Sequence, residues 1–371
     1  MKPGAVLPGW RRALRALALA GLCAGAAPVF AAGEAGAPVA CPPAAPVPDL
    51  SPAALSRAMA SGADRGLLWR IEKDGRRSWL YGTMHLGKAE WMIPGRRVLR
   101  ALMQSDTLAL ELDLEDPATV AVFSAPADPD ASARLLTPER RRRLDRQVAA
   151  ACLPEGALAS LRPILQVTTL AMLAARAGGL YGDFGSEAFL SALARARGKP
   201  VVALESAAAQ LKMLAGDSEA EEGEQVDQAL DELESGQAGA QANELAQAWA
   251  RNDWPRLDSY TEWCECLRTP AERRALQRLL DDRNPGLAEG IARLHEQGQR
   301  VFGAVGALHM VGPTGLPALL AARGFRVTPV VPAAAFPSAA AASPVAAAPP
   351  VAASPPPRAE PVEAGATPSG R

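Results

Sequence analysis

Histidine is almost missing from this chain. His85, His295 and His309 are the whole complement in 371 residues. No His-Glu-x-x-His, no Gly-x-Ser-x-Gly and no Walker-type loop occurs, so zincin, α/β-hydrolase and nucleotide-binding readings lack support. Positive charge is not in surplus either. The formal charge is −1, and removing Lys2, Arg11, Arg12 and Arg15 with the first 31 residues leaves −5. No basic surface for nucleic acid is implied.

Those first 31 residues read as a signal peptide: a basic start, an Ala/Leu-rich run over 16–31, and small-residue cleavage at Val29-Phe30-Ala31. The run is short for a bilayer and contains Gly21, Gly25 and Pro28, so no stable membrane insertion is expected after cleavage. Leu22 before Cys23 is too bulky for a lipidation cut. The expected location is periplasmic or secreted. Residues 32–61 are read as an exported linker, 62–331 as the globular domain, and 332–371 as a disordered tail. Of the tail's residues 15 are Ala and 10 are Pro, too few large apolar side chains to offset ordering entropy.

Cysteine is scarce as well, with five in all. Cys41, Cys152, Cys264 and Cys266 survive leader removal, an even number in an oxidising compartment. The Cys264-Glu265-Cys266 spacing is tight for self-pairing, so one of the two is expected to bridge to Cys152 or Cys41. No histidine or second cysteine pair lies near enough for zinc.

Within 62–331, short β-prone runs recur at 67–72, 78–84, 107–113, 200–204, 300–307 and 326–331, and Lys73-Asp74-Gly75-Arg76 predicts a hairpin turn between the first two. Helical patterns fill 138–152, 155–177, 187–197, 221–250 and 270–297. Strands at both ends and helices between imply an α+β fold: a central mixed sheet whose N- and C-terminal halves meet, flanked by helices and a large helical mid-section. Arg140–Arg143 and the eight acids between Glu219 and Glu234 are each read as a solvated helix face; the acid spacing does not match an EF-hand. His295 is read as a surface or C-cap histidine.

The sparse histidines carry the sharpest signal. Gly82-Thr83-Met84-His85 and Gly306-Ala307-Leu308-His309 are matched frames, each following an apolar β run. Glycine at a strand end permits a turn and close ligand approach, and open α/β sheets bind ligands at the strands' C-terminal edges. If the two strands are neighbours, both imidazoles face one cleft. Glu111 and Asp113 end the third predicted strand and share a face by period two. Two histidines and a carboxylate suit a divalent first-row metal with open positions for water. A metal-free version uses one imidazole as general base with Glu111 orienting it. Glu205 ends the fourth strand, and Arg283-Asn284 lies in a helical region where its fork could bind a carboxylate or oxyanion.

These stretches resemble the TraB/GumN family, which includes the animal Tiki proteins. The resemblance runs over most of 66–331, through the Tyr81–Gly87 strand, Leu110-Glu111-Leu112-Asp113, Gly198–Ser206, Ala248-Trp249 with Trp254, Arg283-Asn284 and Val305–Pro313. It implies pseudo-symmetric halves and a distant similarity to erythromycin esterase-like enzymes. Tiki-type members look like manganese- or cobalt-dependent proteases built on two Gly-x-x-His motifs and a glutamate, here His85, His309 and Glu111. One departure is Phe184-Gly185-Ser186-Glu187, where many relatives have Gly-Leu/Ile-Asp; Glu187 can stand in for that acid.

The resulting expectation is an exported metal-dependent hydrolase of the cell envelope acting on a peptide or protein. His85, Glu111 and His309 bind manganese or cobalt in preference to zinc, Arg283 joins them in catalysis, and Gly82, Asp113, Glu205, Asn284 and Gly306 contact substrate or support the site. The alternatives are a non-catalytic protein that sequesters a peptide or saccharide, and a metal-free esterase with His85 as base.

Overall fold

The computed structural model describes residues 41–331. The signal-peptide reading, Cys23 and the Ala/Pro-rich tail lie outside the described residues.

Six strands form one mixed sheet: β1 Leu68–Lys73, β2 Arg76–Thr83, β3 Thr107–Leu110, β4 Val201–Ala203, β5 Val301–Gly306 and β6 Arg326–Val331. Their order is β4-β3-β5-β2-β1-β6. The hairpin β1–β2 closes through Asp74 and Gly75, at φ 51° and 70°, because a two-residue turn matching strand twist needs positive φ at both positions. β2, β5, β3 and β4 run parallel to one another, and β1 pairs antiparallel with β2 and β6. Thr83 lies opposite Gly306, and Leu110 pairs with Ala304 on one side and Ala203 on the other. The chain's first and last β segments are therefore adjacent, and four parallel strands end at one edge.

Apolar side chains alternate across this sheet. Tyr81, Leu108, Leu110 and Phe302 pack on one face with Val98, Leu102 and Leu190. Leu80, Ala109, Val301 and Val305 pack on the other with Leu287, Ile291 and Leu320. Each fully buried large side chain contributes about 1.5–3 kcal/mol. The helical mid-section has a separate core of Leu144, Val167, Leu170, Val226 and Leu230.

Several expectations change. The helical pattern over 221–250 is two helices, Glu219–Glu234 and Gln237–Ala250, broken at Gly236 with φ 77°. That over 155–177 begins only at Pro163. The run 270–297 also splits, into Pro270–Leu279 and Asn284–Glu296; Pro285 in the second helix's first turn cannot continue a preceding one. The basic and acidic faces are not separately solvated: they meet. Arg140 chelates Asp227 at 2.8 and 2.7 Å, and Arg143 reaches Glu234 at 2.7 Å. His295 is fully buried rather than superficial. Its Nε2 lies 3.1 Å from the Lys73 carbonyl, which can only accept, so Nδ1 accepts from Ser78 Oγ at 2.8 Å. The histidine is a structural bolt between a helix and the β1–β2 hairpin.

The cysteine expectation is overturned too. Cys41 bonds Cys152 across 111 residues, with Cα atoms 5.6 Å apart. Cys264 pairs with Cys266, at a Cα separation of 5.1 Å. The Cys41 bridge ties the segment before helix Pro52–Ser61 to the end of helix Pro138–Ala150.

Candidate active site

The shared strand edge gathers the chemistry. The residues just past β2, β3, β4 and β5 include His85, Glu111, Glu205 and His309 respectively. Both frames leave little room for a side chain at their glycines. A Cβ on Gly82 would lie 3.2 Å from Ala307 Cα, and one on Gly306 would lie 3.2 Å from Glu111 Oε1.

Glu111, Glu205 and His309 converge on Arg283. The break before Asn284 puts Arg283 at the N-cap of helix Asn284–Glu296, where its side chain reaches back to the sheet edge. Its Nε donates to Glu205 Oε1 at 3.0 Å, and Nη2 donates to Glu205 Oε2 at 2.6 Å and to Glu111 Oε2. Nη1 donates to the Leu279 carbonyl at 2.8 Å and to His309 Nε2 at 3.2 Å. A guanidinium has five N–H groups, and all five are engaged. The fork is filled from inside the protein, so it has no donor left for an oxyanion. As placed here, Arg283 holds Glu111, Glu205 and His309 together.

The same contacts fix His309. Arginine can only donate, so Nε2 accepts and Nδ1 carries the proton, donated to Asn284 Oδ1 at 2.6 Å. Burial pushes the ring's pKa down to about 4, and the neighbouring Arg283 charge adds to that; Glu111 and Glu205 oppose it. The ring is neutral at physiological pH. For Glu111, burial pushes the carboxyl up, but His85, His309 once protonated, Arg283 and the Gly306 N–H at 2.7 Å hold it at about 2.

His85 is different. Its Nδ1 stands 2.8 Å from Glu187 Oε1, and 67% of its side chain is exposed. Glu187 Oε1 has no well-aligned hydrogen bond, so charge rather than alignment holds this pair. Glu187 pushes the imidazole up to about 9 against the effect of desolvation, with a smaller contribution from Glu111. Water around the ring screens that attraction. Nε2 has no hydrogen-bond partner among the described residues. Burial raises Glu187 but the His85 charge and the Thr83 hydroxyl outweigh it, leaving the carboxyl below its ordinary value.

Glu187 arrives by a docked segment. Residues 181–187 lie along 84–87: Gly87 and Tyr181 exchange backbone hydrogen bonds at 3.0 and 2.8 Å, and Ser186 N–H donates to the Met84 carbonyl at 3.0 Å. A Cβ on Gly185 would come within 2.5 Å of the His85 carbonyl oxygen.

Asp113 leaves the group. β3 ends at Leu110, so period two no longer applies, and Asp113 pairs with Arg195 at 2.5 Å. Gln210 joins it, donating to Glu205 Oε2 at 3.0 Å and to Glu111 Oε2 at 3.4 Å. Its sequence signal is Ser206, which caps helix Ala207–Ala215 straight after β4 and turns the helix's first turn back onto the strand edge.

The metal reading can be tested on these contacts. His309 Nε2 and Glu111 Oε2 both accept from Arg283, and Glu111 Oε1 accepts from Gly306. A permanent cation lies against the donors assigned to the ion. Among the described residues no group of three or more His, Cys, Asp or Glu side chains could hold a metal. In this arrangement His85, His309 and Glu111 do not fit a divalent ion. No described helix is long and apolar enough to cross a membrane.

The model of the TraB/PrgY/gumN family matches residues 67–329, more than half of the chain. No curated protein and no solved structure matches it.

Proposed function

Since this chain belongs to the TraB/PrgY/gumN family, we propose that it is an exported hydrolase of ester or peptide carbonyls in which His85, backed by Glu187, moves the proton. The observation that carries the reading is the contrast between the histidines. His309 has both nitrogens engaged, whereas His85 keeps Nε2 open at the strand edge with a carboxylate on Nδ1. Environments that drive two titratable groups apart separate a proton-transfer group from a fixed one. Neutral His85 takes a proton from water as it attacks the carbonyl, and the imidazolium paired with Glu187 returns it to the leaving group. Behind it, Glu111, Glu205, Arg283 and His309 form a rigid floor. Export is proposed from the basic, apolar start and the cysteine pairing. The metal-dependent version, with manganese or cobalt on His85, His309 and Glu111, needs Arg283 to vacate its contacts, and no step here is routed through an ion.

The test is turnover of a panel of activated esters and short peptides, with and without chelator. Chelator-resistant turnover that disappears in His85→Ala is expected. Turnover unchanged in that variant, or lost on chelation and restored by manganese or cobalt, contradicts the proposal.

A further inference from the structure

A cysteine pair lies in the short segment between helices Tyr260–Trp263 and Pro270–Leu279. Cys264 and Cys266 enclose only Glu265, whereas the other bridge spans 111 residues. Loop-closure stabilisation is least for the shortest loops, so this pair gains little from constraining the unfolded chain.

The surroundings of the two sulfurs are unequal. Cys264 is 7% exposed and Cys266 is half-buried. The Cys266 backbone N–H stands 3.3 Å from Cys264 Sγ, and the Tyr260 hydroxyl faces both sulfurs, 3.3 Å from Cys264 and 3.5 Å from Cys266. A disulfide sulfur can only accept, so the N–H donates to Cys264, and the one hydroxyl proton turns to whichever sulfur carries the charge. The Gln241 carboxamide lies 3.8 Å away, and its buried Nε2 has no hydrogen-bond partner. Exchanging the amide's O and N turns that orphan donor toward the sulfur. An unused buried donor costs free energy unless something negative comes to meet it. Burial pushes the Tyr260 phenol up to about 12, so it remains a donor at neutral pH.

We propose that Cys264–Cys266 is a thiol–disulfide exchange site for small thiols, with Cys266 attacked and Cys264 leaving. A thiolate RS⁻ bonds to Cys266 Sγ, the Cys266–Cys264 bond breaks, and its electron pair leaves on Cys264 as a thiolate held by Tyr260 and the Cys266 N–H. A second RS⁻ attacks the mixed disulfide, releasing RSSR and the Cys266 thiolate. The balance is one protein disulfide and two thiols converted to one protein dithiol and one small disulfide. Donors on the departing sulfur lower its pKa, and a better leaving thiolate leaves faster.

The experiment equilibrates the native full chain in glutathione buffers of graded reduced-to-oxidised ratio, followed by acid quenching, alkylation and peptide mass mapping. The Cys264–Cys266 peptide is expected to open at a lower proportion of reduced glutathione than the Cys41–Cys152 pair. Cys264→Ser should trap one glutathione on Cys266 rapidly, and Cys266→Ser should trap it on Cys264 at least about tenfold more slowly. Tyr260→Phe keeps the ring packed on Trp263 (centroids 5.0 Å apart) and should slow opening about tenfold, the worth of one hydrogen bond to a charged sulfur. Free thiols at both positions under oxidising buffer, opening only on unfolding, or equal trapping at the two sulfurs would each overturn the proposal.

Discussion

Arg283→Ala lowers the unfolding free energy by about 3–5 kcal/mol, the cost of leaving buried charge without its partner. Arg283 is 11% exposed in its side chain, and it neutralises Glu111 and Glu205, at 11% and 16%. Urea denaturation near neutral pH reads the loss. The sign with pH follows from Glu111. Its folded pKa of about 2 lies below the ordinary 4.5, so its contribution is whole above 4.5 and lost as pH falls toward 2. Without Arg283 that advantage shrinks, and the wild type and variant converge in acid. Arg283→Met combined with Glu111→Gln and Glu205→Gln should recover much of the stability, since no unpaired charge remains. The variant should also gain something the wild type lacks. Removal of the resident cation frees His309 Nε2 and both carboxylates, so manganese or cobalt should raise the melting temperature of Arg283→Ala and leave the wild type unmoved. Equal stability of the variant and wild type would show that the guanidinium does not hold the floor together.

His85→Ala removes the open proton carrier and is expected to reduce turnover by about 10²–10⁴-fold, the usual worth of general acid–base catalysis. Glu187→Gln is the finer probe. In the wild type, kcat/KM should rise with pH toward about 9, where the imidazole loses its proton. Neutralising Glu187 removes the main cause of that elevation, so the limb moves down toward the ordinary 6.5 and the plateau rate falls. Stability carries the same sign. The ion pair's contribution is whole below 6.5 and is lost as pH rises through about 9. The Glu187→Gln protein should therefore lack the wild type's alkaline decline. An unmoved pH–rate limb would detach Glu187 from His85.

Much of this arrangement was legible in the residues, and the boundary of legibility has physical causes. Alternation and turn chemistry located all six strands, and the matched Gly-x-x-His frames pointed to adjacent strands, because a parallel pair delivers both frames to one edge. What periodicity could not resolve was where helices stop. The pattern over 270–297 hid a break, yet Pro285 marks it, and that break is what turns Arg283 inward. Period two carried Asp113 onto the face of Glu111 only while the strand continued, and it ends at Leu110. Glu187 stands out in the sequence as the acid of Phe184-Gly185-Ser186-Glu187, but its meeting with His85 depends on the 181–187 segment docking on 84–87, a contact between stretches about a hundred residues apart. The Arg140–Arg143 and Glu219–Glu234 faces were each legible as charged; their pairing is tertiary and leaves no local trace.

Everything proposed for this site requires the two frame histidines to be held in opposite states: His309 neutral with its lone pair on Arg283, His85 cationic and open. With only three histidines, long-range nitrogen–proton spectra of the imidazoles resolve each ring, and single variants assign them. Between pH 5 and 8 His309 is expected in the neutral Nδ1–H form throughout and His85 protonated until the pH approaches about 9, with neither signal broadened by one equivalent of manganese. A proton on His309 Nε2, or stoichiometric broadening of His85 and His309 together, would contradict it.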